Sequence, residues 1–434
     1  MKSMILFPLF VALATGATPS PSAPAPLTQV TLIRAGRLID GTGRPPQDNV
    51  TIVIRGDLIQ SVVPTPLTSE LQRGARIIDL SRYTVLPGLM DCHDHITGMP
   101  GDGGDLQMLQ ETDAHQALWG AMNAKITLDA GFTTIRNVGS GSFADAALKR
   151  FIHQGLYPGP RMYIATKGIG ITGGHADING WSPDLSLRGY AQIVDGVDAI
   201  RHAVREQIKF GADLIKITAS GGVLSSGDSV HHEQYSEEEI RTAVEEATRL
   251  GRKVAAHAHA ARAIINATRA GVASIEHGSF IDDAGIALMK QNGTYLVPTL
   301  YTLDFIVNEG KEYGVPQYGI TKAIEVGKVQ RANLKKAYQA GVKFAYGTDA
   351  AVFPHGRNAR DFAILVEQLG VPPMEAILMA TRNAADLIGI SEKVGTIEAG
   401  KWADLVAVAG DPLQNIRLLE DVKFVMKGGV TFKQ

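Results

Sequence analysis

The sequence predicts an α/β protein: a closed (β/α)8 TIM barrel with a small β-sandwich domain built from both ends of the chain. Through the middle of the chain, β-rich segments alternate with helical segments, which indicates parallel strands joined by crossover helices. Eight such strands can be counted there, the number that closes a barrel. Short strands with alternating polar and apolar residues occur near the two ends, so we expect the ends to form one β-domain.

The first 26 residues are predicted to be a signal peptide followed by a flexible leader. Lys2 precedes an apolar stretch at residues 5–14, small residues suited to cleavage follow it, and the run 18–26 is rich in Pro, Ser and Ala. The apolar stretch is too short to span a bilayer. We therefore expect a secreted or periplasmic protein; a disordered cytosolic tail is the alternative.

The β-sandwich domain is expected to contain residues 27–83 and 392–434, and the barrel residues 84–391. In the first segment, Gly56 and Asp57 form a hairpin-turn signal between two strands. An open doubly wound sheet is the alternative to the barrel, but no glycine-rich dinucleotide turn follows the first long strand. The expected barrel strands are Val85–His95, Thr133–Val138, Arg161–Thr166, Leu214–Ala219, Val254–His259, Ser274–His277, Tyr295–Pro298 and Phe344–Asp349.

Two of the crossover helices have readable boundaries. Ser236 and Glu239 form the capping-box pattern that begins a helix, and the apolar periodicity predicts that this helix spans Ser236–Leu250. A second helix is predicted over Pro373–Ile388, with its proline in the first turn.

The composition is that of a globular protein with a small-molecule partner. Of the 434 residues, 45% are apolar, which is enough for a large core, and 42 basic residues face 44 acidic ones. Because no basic run occurs, neither nucleic acid nor an anionic membrane is expected as a partner. The single cysteine, Cys92, excludes an intramolecular disulfide and is expected to pack in the core.

Two histidines end the first expected barrel strand. In such a barrel, catalytic groups come from the C-terminal ends of several strands. His93 and His95 are two residues apart, so both can point at one ion, with Asp91 on the same side. Taken alone, such a pair is weak evidence and is more typical of ordinary surface or core imidazoles.

Lys216 lies inside an otherwise apolar fourth strand. A lysine that points into a barrel without a partner should lose its proton. The neutral amine can then add carbon dioxide to give a carbamate, an anionic ligand able to bridge two cations. The alternative is a lysine that faces outward along a helix.

The later strands end in further donors. His257 and His277 end the fifth and sixth strands, and Asp349 ends the eighth, where a carboxylate can bind a metal and exchange a proton with its water. His259 shares a face with His257; we predict His257 as the ligand and His259 as a catalytic neighbour outside the ligand set. The alternatives are hydrogen-bonded core histidines and, for Asp349, a helix N-cap.

These segments together resemble the amidohydrolase superfamily, specifically its binuclear-zinc members with a carboxylated lysine. The resemblance covers nearly the whole chain and rests on Leu86-Pro-Gly-Leu-Met-Asp-Cys-His-Asp-His, Lys216, His257, His277, Gly-Thr-Asp349 and the closing phrase Gly-x-Ile-x-x-Gly-Lys-x-Ala-Asp-Leu-Val at 395–406. Four further segments are similar to imidazolonepropionase-related Xaa-Pro-type dipeptidases and carboxypeptidases and to ochratoxin-hydrolysing amidases: Thr172-Gly-Gly-His-Ala-Asp, Lys216-Ile-x-x-Ser-Gly-Gly-Val, His231-x-x-x-Tyr235-Ser and Ala256-His-Ala-His.

The resemblance implies two divalent metal ions, with zinc as the expected metal, and a homo-oligomer that could be an octamer. It implies that Asp349 takes a proton from a bridging hydroxide and passes it to the leaving amine. The implied ligands are His93, His95 and Asp349 for one ion, His257 and His277 for the other, and N6-carboxylysine at Lys216 as the bridge.

Substrate contacts are expected on the loops that follow the strands. Tyr235 could donate a hydrogen bond to the carbonyl or the tetrahedral oxyanion, with an exposed loop tyrosine as the alternative. His175, His231 and Arg357 are further candidates, the first and last for a substrate carboxylate. Gly173 and its glycine neighbour lack the spacing of a nucleotide-binding loop.

The function expected from these residues is cleavage of an amide or peptide bond that releases a C-terminal amino acid. The substrate would be a dipeptide or an N-acyl amino acid, and ochratoxin A, an N-acylated phenylalanine, belongs to that class. Hydrolysis of a cyclic amide, of the imidazolone or hydantoin kind, is the alternative. A metal-binding barrel without turnover is the third hypothesis, against which the acid/base candidate Asp349 argues.

Overall fold

The structure, a computed structural model, describes residues 30–66, 72–101, 110–187 and 189–434. The predicted signal peptide and leader lie outside the described residues. Within those ranges, none of the helices combines the length and the apolar character needed to cross a membrane.

Strands and helices alternate through the middle of the chain, as the sequence predicts. The strands of the described residues are β1 (Val30–Leu38), β2 (Gln47–Arg55), β3 (Leu58–Pro64), β4 (Arg76–Pro87), β5 (Leu89–Asp94), β6 (Phe132–Asn137), β7 (Arg161–Ile164), β8 (Gly168–Gly170), β9 (Ala191–Ile193), β10 (Leu214–Thr218), β11 (Lys253–Ala258), β12 (Ser274–His277), β13 (Tyr295–Val297), β14 (Lys343–Phe344), β15 (Leu405–Ala409), β16 (Phe424–Lys427) and β17 (Val430–Lys433). The helices are α1 (Asp113–Asp129), α2 (Ala144–His153), α3 (Val197–Lys209), α4 (Glu237–Arg249), α5 (Ala261–Ala270), α6 (Asp283–Asn292), α7 (Leu300–Asn308), α8 (Gln317–Gln339), α9 (Arg360–Glu367), α10 (Pro373–Met379) and α11 (Arg382–Ile388), with a 3-10 turn at Ile416–Glu420.

The two ends of the chain meet in one seven-stranded sheet, in the order β17-β16-β15-β4-β1-β2-β3. Strand β4 joins the ends, because its residues 76–85 pair in parallel with β1 and its residues 83–87 pair antiparallel with β15. Apolar side chains from both ends, including Ile33, Ile52, Leu405 and Phe424, form one buried core. This arrangement fits the predicted β-sandwich.

Eight parallel strands form the TIM barrel. Strands β5, β6 and β7 pair side by side, and β10 to β14 continue in the same sense, with β8 and β9 as additional short strands beside β10. The amide of Asp213 donates to the carbonyl of Ile164 at 2.7 Å and so connects β7 to the start of β10. The barrel closes where the amide of Cys92 donates to the carbonyl of Tyr346 at 2.8 Å. The predicted α/β barrel is therefore confirmed.

The two predicted helices have different outcomes. Helix α4 begins after Ser236, whose hydroxyl accepts from the amide of Glu239 at 3.3 Å, as the capping-box pattern predicts. The predicted helix over Pro373–Ile388 is divided into α10 and α11. The carbonyls of Met379 and Ala380 accept from the amides of Tyr346 and Met90, so the barrel backbone takes the partners that a continuous helix would need.

Candidate metal centre and active site

The predicted metal ligands converge on one cavity at the C-terminal end of the barrel. The cavity has a volume of about 380 Å³. Its walls include His93, His95, Lys216, His257, His277 and Asp349, together with His175 and His259. Since parallel strands all present their C-terminal ends to this side, residues far apart in the sequence become neighbours.

The first group of donors surrounds Asp349. Its Oδ1 lies 3.3 Å from Nε2 of His93 and 3.3 Å from Nε2 of His95. Donor atoms of His93, His277 and Asp349 also lie within 4.8 Å of one another. Burial would raise the pKa of Asp349, but the neighbouring imidazoles prevail and hold it well below the usual range, so this carboxylate is ionised.

The second group consists of three histidines from neighbouring strands. Donor nitrogens of His257, His259 and His277 lie within 4.8 Å of one another. Burial, reinforced by the neighbouring imidazoles, holds the pKa of His257 and of His277 well below the ordinary value, so these rings stay neutral and keep a lone pair. Either His257 or His259 is placed where it can serve as a ligand. His277 belongs to this group and also lies close to His93 and Asp349 of the first group.

Hydrogen bonds to one ring nitrogen orient most of these imidazoles. The Nδ1 atoms face protein partners, which leaves Nε2 for the cavity: His93 with Glu276 Oε2 at 2.7 Å, His95 with Gly139 O at 3.1 Å, His277 with Thr299 Oγ1 at 2.7 Å, and His259 with Ser279 Oγ at 2.8 Å. His257 differs, because its Nε2 lies 3.4 Å from the carbonyl oxygen of Gly221 and its Nδ1 is the nitrogen left over. Partners that fix the ring in this way are typical of metal-binding histidines.

Lys216 lies beside these donors on β10 and is buried, with 6% of its surface exposed. Burial lowers the pKa of its amine to about 8, against the opposing charges of Glu276 and Asp349. A considerable fraction of this amine is therefore neutral near pH 7–8, which is the state that can react with carbon dioxide.

The donor set fits divalent transition metals. It combines imidazole nitrogens with one ionised carboxylate, which are ligands that zinc accepts, and each ring has a hydrogen-bond partner at one of its nitrogens. The residues that would hold metal are thus present and oriented.

A buried ion pair below the site was missed by the sequence analysis. Arg136 donates to Glu276 Oε1 at 2.7 Å and to Ser274 Oγ at 2.9 Å, and the other Glu276 oxygen faces His93. Burial would raise the pKa of Glu276, but Arg136 and His93 prevail and lower it to about 2. The signal that could have found both residues is the one that identified Lys216: a charged residue inside an apolar strand.

A second missed network holds the segment that carries Asp349. The carboxylate of Asp91 accepts from the amide and the hydroxyl of Thr348, at 3.1 and 2.5 Å, and from Nδ2 of Asn358 at 2.8 Å. Asp349 itself has a φ of 66°, a left-handed conformation that costs energy for a residue other than glycine. The network therefore maintains a strained backbone that turns Asp349 toward the histidines.

Three predicted substrate contacts are not part of the cavity lining formed by the described residues. Tyr235 is fully buried and donates its hydroxyl hydrogen to the carbonyl of Val194 at 2.7 Å. His231 pairs with Glu325 at 2.7 Å on the surface. Arg357 pairs with Glu309 Oε2 at 2.8 Å. Each polar group has a partner on a neighbouring loop or helix in this structure, and the substrate roles of all three stay predictions.

His175, the fourth predicted contact, does line the cavity. Its ring stacks on that of His257 with centroids 4.4 Å apart. Burial lowers the pKa of His175 to about 4, so the imidazole is neutral and presents no charge to a substrate carboxylate. Cys92 packs in the core, as expected, and burial raises the pKa of its thiol to about 12.

Comparison with known proteins agrees with this geometry. The Amidohydrolase family matches residues 84–432. Ochratoxinase from Aspergillus niger is 33% identical over 432 residues, which cover 93% of this chain and 87% of that protein. A solved Xaa-Pro dipeptidase with bound methionine in the active site has a TM-score of 0.88 and 40% identity, covering 94% of this chain and 100% of the other.

A prolidase complexed with N-methylphosphonate-L-proline is similarly close, with a TM-score of 0.87, 35% identity, and coverage of 94% of this chain and 100% of the other. The family match spans the barrel strands that supply every donor described above. The chain is therefore a hydrolase of the Amidohydrolase family.

Proposed function

We propose that this protein is a binuclear metal-dependent amidohydrolase that releases a C-terminal amino acid from an N-acyl amino acid or a dipeptide. The observation that carries the proposal is the position of Asp349, whose Oδ1 lies 3.3 Å from Nε2 of both His93 and His95 in the cavity. A carboxylate there can bind metal and also reach a reacting water.

The ligand roles in this proposal are those that the family resemblance implies. His93, His95 and Asp349 would hold one ion, His257 and His277 would hold the other, and carboxylated Lys216 would bridge them. Bound divalent ions, zinc in our proposal, would lower the pKa of a water molecule and polarise the scissile carbonyl.

Asp349 is the group proposed to move the proton. Because the surrounding imidazoles keep its carboxylate ionised, it can accept a proton from the attacking water and return that proton to the departing amine. His259 lies beside His277, with ring centroids 4.8 Å apart and nearly parallel rings, and is the catalytic neighbour in this proposal.

The cavity walls support a substrate with an apolar side chain. A buried apolar cluster lines part of the pocket with Val223, Leu303, Ile306 and Val315. An amino acid with an aliphatic or aromatic side chain would bury apolar surface against this cluster. The methionine bound to a similar dipeptidase and the likeness to ochratoxinase agree with this class, which includes ochratoxin A.

A substrate panel tests the proposal. Purified protein, assayed for metal content, is given N-acyl amino acids, dipeptides, ochratoxin A and cyclic amides, and each released amino acid is quantified. We expect about two divalent ions per chain and release of apolar amino acids from the linear substrates. Turnover of cyclic amides alone, or full activity without metal, would overturn it.

Two further features stay predictions from the sequence: export through the segment 1–26, and assembly into a homo-oligomer. N-terminal sequencing of protein recovered outside the cytosol would check the first, and light scattering of the purified protein would check the second.

A further inference from the structure

Lys322 on α8 holds the loop that follows β10, although it is not among the described residues that line the cavity. Its Nζ donates to the carbonyls of Gly222 and Ser225, each at 2.9 Å, and to Oδ1 of Asp228 at 2.7 Å. The ion pair is mostly buried, with 17% of the Lys322 side chain and 6% of the Asp228 side chain exposed. Because a lysine ammonium has three hydrogens, its three bonds all go to residues 222–228.

Asp228 closes the same loop upon itself. Its Oδ2 accepts from the amide of Gly222 at 3.0 Å, and its Oδ1 accepts from the hydroxyl of Ser225 at 2.6 Å. Burial would raise the pKa of Asp228, but the hydrogen bonds from Lys322 and Ser225 prevail and keep it below the ordinary value, so the carboxylate is ionised. Lys322 and Asp228 together therefore define the shape of residues 222–228.

The loop also packs against α8 through an apolar side chain. A Cβ added at Gly319, three residues before Lys322, would lie 3.2 Å from Cδ2 of Leu224, so the glycine lets helix and loop approach closely. The neighbouring Val223 belongs to the buried apolar cluster, and both Val223 and Leu224 line the cavity. This packing and the ion pair are independent observations that bring the same loop against the same helix.

We propose that Lys322 is a specificity-determining residue that acts from outside the cavity, by holding Val223 and Leu224 in the wall that receives the apolar side chain of the released amino acid. Lys322 and Asp228 are positioning residues, and Val223 and Leu224 touch the substrate. The inference rests on the proposed amide hydrolysis and specifies which part of the chain selects its substrate.

The ion pair sets the conformation of the loop before a substrate binds. Residues 221–229 contain three glycines and three serines, so the backbone alone would have many conformations. Holding it in one conformation removes an ordering cost that binding would otherwise have to offset. A large apolar side chain benefits from a preformed wall, whereas the methyl group of alanine buries little surface there. Lys322 should therefore change the preference between large and small substrates.

Hydrogen exchange tests the hold on the loop without requiring turnover. In the metal-loaded protein, the backbone amides of residues 221–229 should exchange about tenfold faster in Lys322→Met than in the wild type. Lys328→Met, at an exposed lysine on the same helix, is the matched control and should leave the exchange of this segment unchanged. Unchanged exchange in Lys322→Met would overturn the role of Lys322 in holding the loop.

A matched substrate pair tests the specificity. The pair is the N-acyl amino acid with a large apolar side chain that the wild type cleaves best and the N-acyl-alanine with the same acyl group. The ratio of their kcat/KM values should fall about tenfold in Lys322→Met, mainly through a higher KM for the larger substrate. A merely structural defect would lower kcat for both substrates and keep the ratio, and Lys328→Met should keep it as well. An unchanged ratio in Lys322→Met would end the specificity role.

Asp228→Asn is a second variant of the same pair and keeps the size of the side chain. It should lower the ratio in the same direction, and it decides the proposal if Lys322→Met does not fold, as melting temperatures will show. The double variant should be no worse than Lys322→Met alone, because the two residues act as one pair. Fully additive losses would contradict the pair.

The inference and the proposed function fail in different ways. A wild type that cleaves linear amides, with an unchanged ratio in both variants, would refute the inference and leave the proposed amidohydrolase intact. A wild type that cleaves no linear amide would refute the proposed function instead. Calorimetric titration of the metal-loaded protein with free methionine and with free alanine then gives the corresponding ratio of affinities, and equal ratios in the wild type and Lys322→Met would overturn the specificity role.

Discussion

The strand ends and the loops above them both face the same end of the barrel, yet they place side chains by different rules. At the strand ends, the hydrogen-bonded pairing of the strands sets the direction of each side chain, because successive residues point to opposite faces of the sheet. All six predicted ligands line the cavity. In the loops, three of the four predicted contacts bond to neighbouring protein groups instead. The strand ends therefore supply the candidate metal ligands, while the polar side chains of these loops stabilise the conformation of the loops.

Lys216→Ala gives the largest effect expected at the strand ends. If two ions share a carboxylated Lys216, as proposed, its loss removes their common anionic ligand, so turnover should fall below detection and the metal content should drop. Added acetate or formate should restore part of the activity by occupying the vacated position. Steady-state assays and metal analysis check this; near-normal turnover without rescue would show that Lys216 is not a bridge.

Asp349→Asn separates proton transfer from metal binding at the C-terminal ends of the barrel strands. The amide keeps an oxygen ligand but loses the basic oxygen, so kcat should fall about 10²–10⁴-fold while a good part of the metal remains. Asp304→Asn, at a partly exposed carboxylate paired with Arg331, is the matched control and should be almost silent. A loss of only a few fold in Asp349→Asn would remove the proton-transfer role.

The residues at the strand ends could be predicted from the sequence because the patterns that identify them are local. Two histidines separated by one residue, or a lysine in an apolar strand, can be recognised from a few neighbouring residues. Once eight strands are counted, each of these residues can be assigned to the end of a barrel strand. The end sheet followed from the same alternation. The strained turn at Asp349 was not foreseeable, since it depends on Asp91, Thr348 and Asn358 meeting across the barrel.

The loops were less predictable for a related reason. Whether Tyr235 faces the cavity or the carbonyl of Val194 depends on the path of the segment between β9 and α3, which no periodicity specifies. Similarly, nothing near Arg357 in sequence indicates that Glu309 will neutralise it. Polar loop residues find the nearest partner in space, and that partner is set by tertiary packing.

Arg136→Leu tests the buried ion pair between Arg136 and Glu276. It leaves the Glu276 carboxylate buried and uncompensated, which should cost about 3–5 kcal/mol in the free energy of unfolding measured with urea. The double variant Arg136→Leu/Glu276→Leu should recover part of that loss. Arg331→Leu, which breaks a more exposed pair with Asp304, should cost about 0–1 kcal/mol.

The same ion pair should be visible in metal affinity. Glu276→Gln weakens the acceptor for Nδ1 of His93, so chelator competition should show metal affinity lowered about 10–100-fold. If the double variant were no more stable than Arg136→Leu, or if Glu276→Gln bound metal normally, the pair would be ordinary core structure rather than support for the ligands.

Tyr235→Phe has the smallest expected effect and tests the loop side of the comparison most directly. Removing the hydroxyl leaves the carbonyl of Val194 without its hydrogen bond, which should cost about 1–3 kcal/mol in the free energy of unfolding. Because the phenol does not line the cavity, kcat and KM should stay within about twofold of the wild type. Tyr295→Phe, whose hydroxyl donates to Asp386 at 2.6 Å away from the cavity, is the matched control and should behave alike. If Tyr235→Phe alone lowered kcat about 10²–10³-fold, as loss of an oxyanion donor does, the loop would have to rearrange around substrate and the contrast with the strand ends would not hold.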